Sequence, residues 1–199
     1  MIGSGDAQWM TAASGIFHEE HHADEITRSG GRLHMMQLWV NLPSKDKKAK
    51  PGYQALKAEQ FPSVKLPGGG TVRVIADEYE GARGPAHTLT AITMLDADLR
   101  AGEELPVTLP ATYNAMAVVA KGRVTVGSRT AGEGELIFFA NDGERLTLSA
   151  TEDAHVILLS GEPIDEPIVQ YGPFVMSSVA EIEQAIVDVE RGKFGPIPA

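Results

Sequence analysis

The chain of 199 residues contains no cysteine. Disulfides, thiolate metal sites and cysteine nucleophiles are therefore excluded. Basic residues are scarce beside acidic ones, 17 against 27, for a formal charge of −10. Broad electrostatic attachment to nucleic acid depends on neutralising phosphates with Lys and Arg, so no direct nucleic-acid partner is expected. No apolar run approaches the roughly 18 residues of a membrane helix, and the N-terminus has neither the basic region nor the apolar stretch of an export signal; a cytoplasmic protein without membrane attachment is expected. What the chain does have is 43% hydrophobic residues, 21 glycines and 12 prolines. That is the composition of an ordinary globular protein, punctuated often by turns.

Between the turn residues lie short β-rich runs at 33–40, 71–75, 89–95, 115–120, 123–126, 136–139, 145–148 and 155–159. Several alternate apolar and polar, as in Arg145-Leu146-Thr147-Leu148, which fits sheets with one buried face. Short strands at close spacing predict a sandwich or barrel, and the fold class is mostly β. One helix stands out near the end. Ser178 is a good N-cap with Glu181 three residues on, and Ile182, Ala185, Ile186 and Val189 recur at helical spacing before Gly192. This stripe is expected to pack on a barrel. The basic stretch at 44–50 reads as a solvated loop and at most a weak anion patch.

The segment GIFHEEHHAD at 15–24 admits two metal chemistries. His18-Glu19-Glu20-His21-His22 spells H-E-x-x-H, which on a helix presents two zinc-binding histidines and a catalytic glutamate. That needs a helix with a buried apolar face, and Ala12-Ala13-Ser14-Gly15 is a poor helix body. On a β-strand, His18 and Glu20 would instead share a face, and imidazole nitrogen plus carboxylate oxygen suits Fe(II), Mn, Ni or Zn. Two ligands alone bind weakly, and a surface charge cluster without metal is the plain alternative.

The runs GDAQWMTA (5–12) and GIFHEE (15–20), then QLWVNLP (37–43), PGYQ (51–54), GEPIDEP (161–167) and YGPFVM (171–176), occur in order along the chain and closely resemble the pirin family. The resemblance implies a bicupin, two jelly-roll β-barrels in one chain, with one metal, usually iron, in the first barrel. It implies His18 and Glu20 as two of four protein ligands, the other two being histidines of an H-x-H motif. No H-x-H occurs here; the six histidines are His18, His21, His22, His34, His87 and His155. Residues 1–62 are accordingly expected to be the remnant of a first barrel carrying half of the metal site, and 63–199 a complete second barrel with the terminal helix. A remnant of that length falls short of a typical domain of roughly 100 residues and would expose strand edges and apolar surface. A second copy of the chain could cover it. His87 and His155 read as structural or surface histidines.

The activity implied by the resemblance is a quercetin (flavonol) 2,3-dioxygenase, with Fe(II) or another divalent transition metal as cofactor if the site is completed, a flavonol-like aromatic substrate, Glu20 as both ligand and proton acceptor, and carbon monoxide as a product. His22 or His34 could substitute for the absent histidines. The alternatives are a non-catalytic pirin-type regulator that binds a protein partner, and a truncated, metal-free form.

Overall fold

The structure, a computed structural model, describes residues 2–195. Its elements in chain order are β1 (Ala7–Thr11), α1 (Asp24–Ser29), β2 (Gly52–Leu56), β3 (Ser63–Lys65), β4 (Thr71–Ala76), β5 (Glu78–Tyr79), β6 (Ala82–Arg83), β7 (Ile92–Leu99), β8 (Glu104–Thr108), β9 (Asn114–Lys121), β10 (Arg123–Val126), β11 (Arg129–Gly132), β12 (Leu136–Phe138), β13 (Arg145–Ala150), β14 (Ala154–Gly161), β15 (Val169–Tyr171), β16 (Phe174–Met176) and α2 (Val179–Glu190). They fall into two compact units. Unit 1 comprises 1–3, 8–54 and 164–199, and unit 2 comprises 4–7 and 55–163.

Unit 2 is a jelly roll of two antiparallel sheets, one in the order β12-β9-β14-β7-β4-β3 and the other β11-β10-β13-β8. Its core follows from period-2 alternation. In β14, Ala154, Val156 and Leu158 are buried and pair with Leu99, Ala97 and Leu95 of β7. From the second sheet, Leu105, Val124 and Leu148 join the same cluster. Strand β8 went unread in the sequence because Pro106 interrupts it. Proline cannot donate to a ladder and is tolerated on sheet edges, and β8 is the edge of its sheet. Leu105 and Val107 on either side of Pro106 face the core, and the Tyr79 hydroxyl donates to the Pro106 carbonyl at 3.2 Å.

Unit 1 is assembled from segments far apart in sequence. Strand β1 pairs with β2, β15 pairs with β16, and α2 packs on both β15 and β16. Helix α2 starts as its sequence implies: the Ser178 hydroxyl accepts from the Glu181 amide at 3.3 Å, and Glu181 accepts from the Ser177 amide at 3.1 Å. Ile182 and Ala185 are its buried residues. The segment 41–47 is tied to 166–177 by polar contacts. The backbone amide and the hydroxyl of Ser44 both donate to Glu166 Oε2, at 2.6 and 2.5 Å. Lys47 Nζ donates to Asn41 Oδ1 at 2.6 Å and to the Val175 carbonyl at 3.1 Å.

Three readings of the sequence change here. The run 33–40 forms no strand; β-rich composition is not sufficient without a neighbouring strand to complete the ladder. The stretch 44–50 is not uniformly solvated, because Lys47 is buried and burial holds its pKa below the usual value against the opposing pull of Glu181 and Glu166. The terminal helix groups with 8–54 rather than with the jelly roll. The physical reason is the set of contacts that 164–195 makes with 15–47, both polar and aromatic. Of the boundaries read from sequence, Met1 and residues 196–199 lie outside the described residues.

Leu158 is fully buried at the centre of the larger sheet. Replacing it by alanine leaves a cavity in a close-packed core, so Leu158→Ala should lower unfolding free energy by about 2–5 kcal/mol. Urea unfolding followed by far-ultraviolet circular dichroism, to which the jelly-roll strands contribute most, measures this loss.

Candidate functional site

The segment holding His18 and Glu20 is set by a glycine and three phenylalanines of unit 1. After β1 the chain turns, with the Gly15 amide donating to the Ala12 carbonyl at 2.8 Å. Gly15 has φ +113°, and a Cβ there would stand 2.4 Å from the Phe194 ring. Only glycine allows both the backbone angle and the close approach. Phe194 in turn packs against Phe17, with ring centroids 6.0 Å apart, and against Phe174 at 6.3 Å. Phe17 is thereby half-buried while His18 is exposed.

Residues 15–23 are neither helix nor strand. The H-E-x-x-H reading lacks its helix, since α1 begins only at Asp24 and has no buried face. The shared strand face that would align His18 with Glu20 is also absent, because no sheet hydrogen bonds run along the segment. Glu20, like His18, is exposed, and across the loop its Oε2 accepts from Gln37 Nε2 at 3.5 Å. His21 pairs with Glu19 at 3.0 Å, and His22 and His34 are exposed. His18 and Glu20 thus have the donor types for a transition metal, but not the number. Among the described residues no three of His, Asp and Glu are grouped to hold a metal ion. His22 and His34 do not complete the pair.

A tighter constellation lies in unit 2 and was not legible in the sequence. Arg73 on β4, Asp96 on β7 and His155 on β14 alternate with core residues, which places all three on the outer face of the larger sheet. His155 Nε2 lies 2.5 Å from Asp96 Oδ1, and the Arg73 guanidinium grips Asp96 Oδ2, with Nε at 3.2 Å. Arg73 also donates to the Gly5 carbonyl at 2.8 Å and sits over the Phe61 ring at 5.5 Å. The hydrogen bond to Asp96 raises the pKa of His155 against the effect of burial. Burial alone would raise that of Asp96, but the bonds from His155 and Arg73 outweigh it and hold the carboxyl below its ordinary value. The arrangement is an electrostatic clasp across three strands. His155, read as structural from the sequence, has that role here.

Comparison with known proteins bears on both units. The pirin family model matches residues 1–40, and the pirin C-terminal cupin domain matches 94–195. A Pseudomonas aeruginosa protein named "Putative quercetin 2,3-dioxygenase" is 48% identical over 194 residues, covering 97% of this chain and 68% of that protein. A pirin-like protein of Solanum lycopersicum is 37% identical over 98% of this chain and 66% of its own length. The crystal structure of a quercetin 2,3-dioxygenase from Acinetobacter baumannii superposes with a TM-score of 0.94 at 41% identity, covering 99% of this chain and 69% of that one. The chain thus spans about two thirds of the length of these relatives. The jelly roll of unit 2 is a cupin barrel, and no helix among the described residues is long and apolar enough to cross a membrane.

The clasp has a defined pH window. The pKa of His155 lies above its reference of 6.5, so its contribution to stability is fully present below about pH 6.5 and is lost as pH rises through the raised value. The pKa of Asp96 lies below 3.8, so its contribution is present above about pH 3.8 and is lost as pH falls through the lowered value. Thermal unfolding from pH 6 to 9 should therefore cost the native protein more stability than it costs His155→Gln, with the two curves converging at high pH.

Proposed function

The chain belongs to the pirin family, and on that premise we propose that it acts in flavonol 2,3-dioxygenation, with the 15–20 segment of unit 1 as its share of the reaction centre. The supporting observation is the identity that runs the length of the chain with a relative named for that activity. The resemblance of 15–20 to the family pattern supports His18 and Glu20 as two metal ligands. Iron(II) or another divalent transition metal would supply oxygen activation in such a centre. The donors grouped in this chain are too few for it, so no step of the reaction is assigned to the metal. What the segment offers is a carboxylate and an imidazole two residues apart on an exposed loop. Glu20 is assigned the proton of the flavonol's acidic hydroxyl, with His18 as a second polar group of the same segment. The remaining donors would come from outside this set, and a second copy of the chain is one source.

A second reading, a pirin-type regulator that docks a protein partner, rests on a specific observation. Within 33–40 of unit 1, Leu33, Met35, Met36, Trp39 and Val40 are all exposed, Trp39 to 63%. Contiguous exposed apolar surface marks interaction sites, and the excess of acidic residues favours a basic partner. The same surface would serve self-association.

Quercetin turnover tests the first reading. The full chain, loaded with iron(II) under argon and then given air and quercetin, should bleach the flavonol absorbance, consuming oxygen and releasing carbon monoxide in equal amounts. Glu20→Ala should slow the reaction by about 100-fold or more. Absence of any metal-dependent bleaching defeats the dioxygenase reading for this chain. For the second, sedimentation equilibrium should show concentration-dependent association that Trp39→Ser weakens; a chain that stays monomeric and retains no partner in a pull-down from native extract contradicts docking through this surface.

A further inference from the structure

We propose that the cupin barrel of unit 2 is itself a binding site, independent of His18 and Glu20, for a flat apolar molecule bearing one anionic group. A cavity of about 790 Å³ opens at one end of the barrel. That lies within the range of small-molecule sites, roughly 300–1,000 Å³. Its walls come from both sheets: Val126 of β10 and Leu146 of β13 on one side, Ala115 of β9 and Ile137 of β12 on the other. These side chains pack on the core yet stay half-exposed, whereas Leu95, Leu105, Leu148 and Leu158 are completely shut off from solvent. The barrel is therefore sealed through most of its interior and open at this end. Protein interiors close-pack by default. Here two of the lining residues are small, Ala115 from one sheet and Gly127 in the turn after β10, while Phe139, which packs on the core, supplies an aromatic wall. Facing sheets stack about 10 Å apart, so the space between them admits one layer of a planar ligand.

The charge at the mouth defines the polar end of that ligand. Arg129 on β11 lies two residues from the buried Ala131 and pairs with Val126, which puts it on the inner face of its strand at the opening. Its side chain has no ion-pair or hydrogen-bond partner among the described residues. A guanidinium left unpaired beside an apolar slot is suited to grip a carboxylate or phenolate through two parallel hydrogen bonds. Asp142 and Glu144, between β12 and β13, line the same opening, so a polyanion would be repelled and a single anionic group accepted. No histidine lines the cavity, so binding should not depend on added metal.

The test is calorimetric titration of the chelator-treated full chain with 2-naphthoate, and with 2-naphthalenemethanol as its uncharged counterpart. Naphthoate should saturate a single site. Exchanging the arginine, Arg129→Gln, should weaken naphthoate by about tenfold or more, the worth of a charged hydrogen bond, while leaving the alcohol unchanged. Arg129 is exposed, so this variant keeps the fold. Ala115→Phe, which fills the slot, should abolish binding of both compounds, and Trp39→Ser, in unit 1, should leave both intact. No saturable binding of naphthoate overturns the proposal. So does binding that neither Arg129→Gln nor Ala115→Phe affects. Failure of quercetin turnover has no bearing on this outcome, because the titration is made without metal and reads unit 2 alone.

Discussion

The contact between the inner faces of two sheets is the constraint on which unit 2 depends. Leu95, Ala97 and Leu158 from one sheet and Leu105, Val124 and Leu148 from the other exclude water completely, and this apolar burial supplies most of what holds such a barrel together. Period-2 alternation then places everything else. The same strands that send Leu95, Val72 and Val156 inward send Asp96, Arg73 and His155 outward, where they form the clasp. The end of the barrel where the inward Val126, Ile137 and Leu146 stay half-exposed is where the cavity opens.

Much of the jelly roll was legible because alternation is a local signal. The runs at 71–75, 115–120, 123–126, 136–139, 145–148 and 155–159 all lie on or overlap strands. Strand β8 was hidden by Pro106, whose placement on a sheet edge cannot be known before the topology is. The reverse failure occurred at 33–40, where residues with good β propensity find no ladder to join. Lys47 shows a third limit. Among the lysines of 44–50, only three-dimensional structure selects the one that Asn41 and the Val175 carbonyl draw inward.

The candidate site was legible in a different way. Neither the spacing of His18 and Glu20 nor their local structure decides that they bind metal; the ordered set of motifs pointed to them, and the geometry leaves them exposed and short of partners. The glycine at 15 carries physical information that the sequence alone does not explain, since its reason is the Phe194 ring from the other end of the chain. Asp96 and His155 lie 59 residues apart and meet only through the pairing of β7 with β14. Long-range register of this kind leaves no trace in composition or spacing.

Unit 1 is split in sequence, with 164–195 closing against 8–54 and the whole of 55–163 between them. During synthesis the early segment therefore emerges well before the residues that complete it. Unit 2, nearly continuous, has all its strands once residue 161 has left the ribosome. At roughly 5–20 residues per second, the segment with Phe17 waits several seconds before Phe194 arrives to cover that ring. Chaperone dependence, and the loss of nascent chains to aggregation, should therefore concentrate on the N-terminal segment rather than on the barrel.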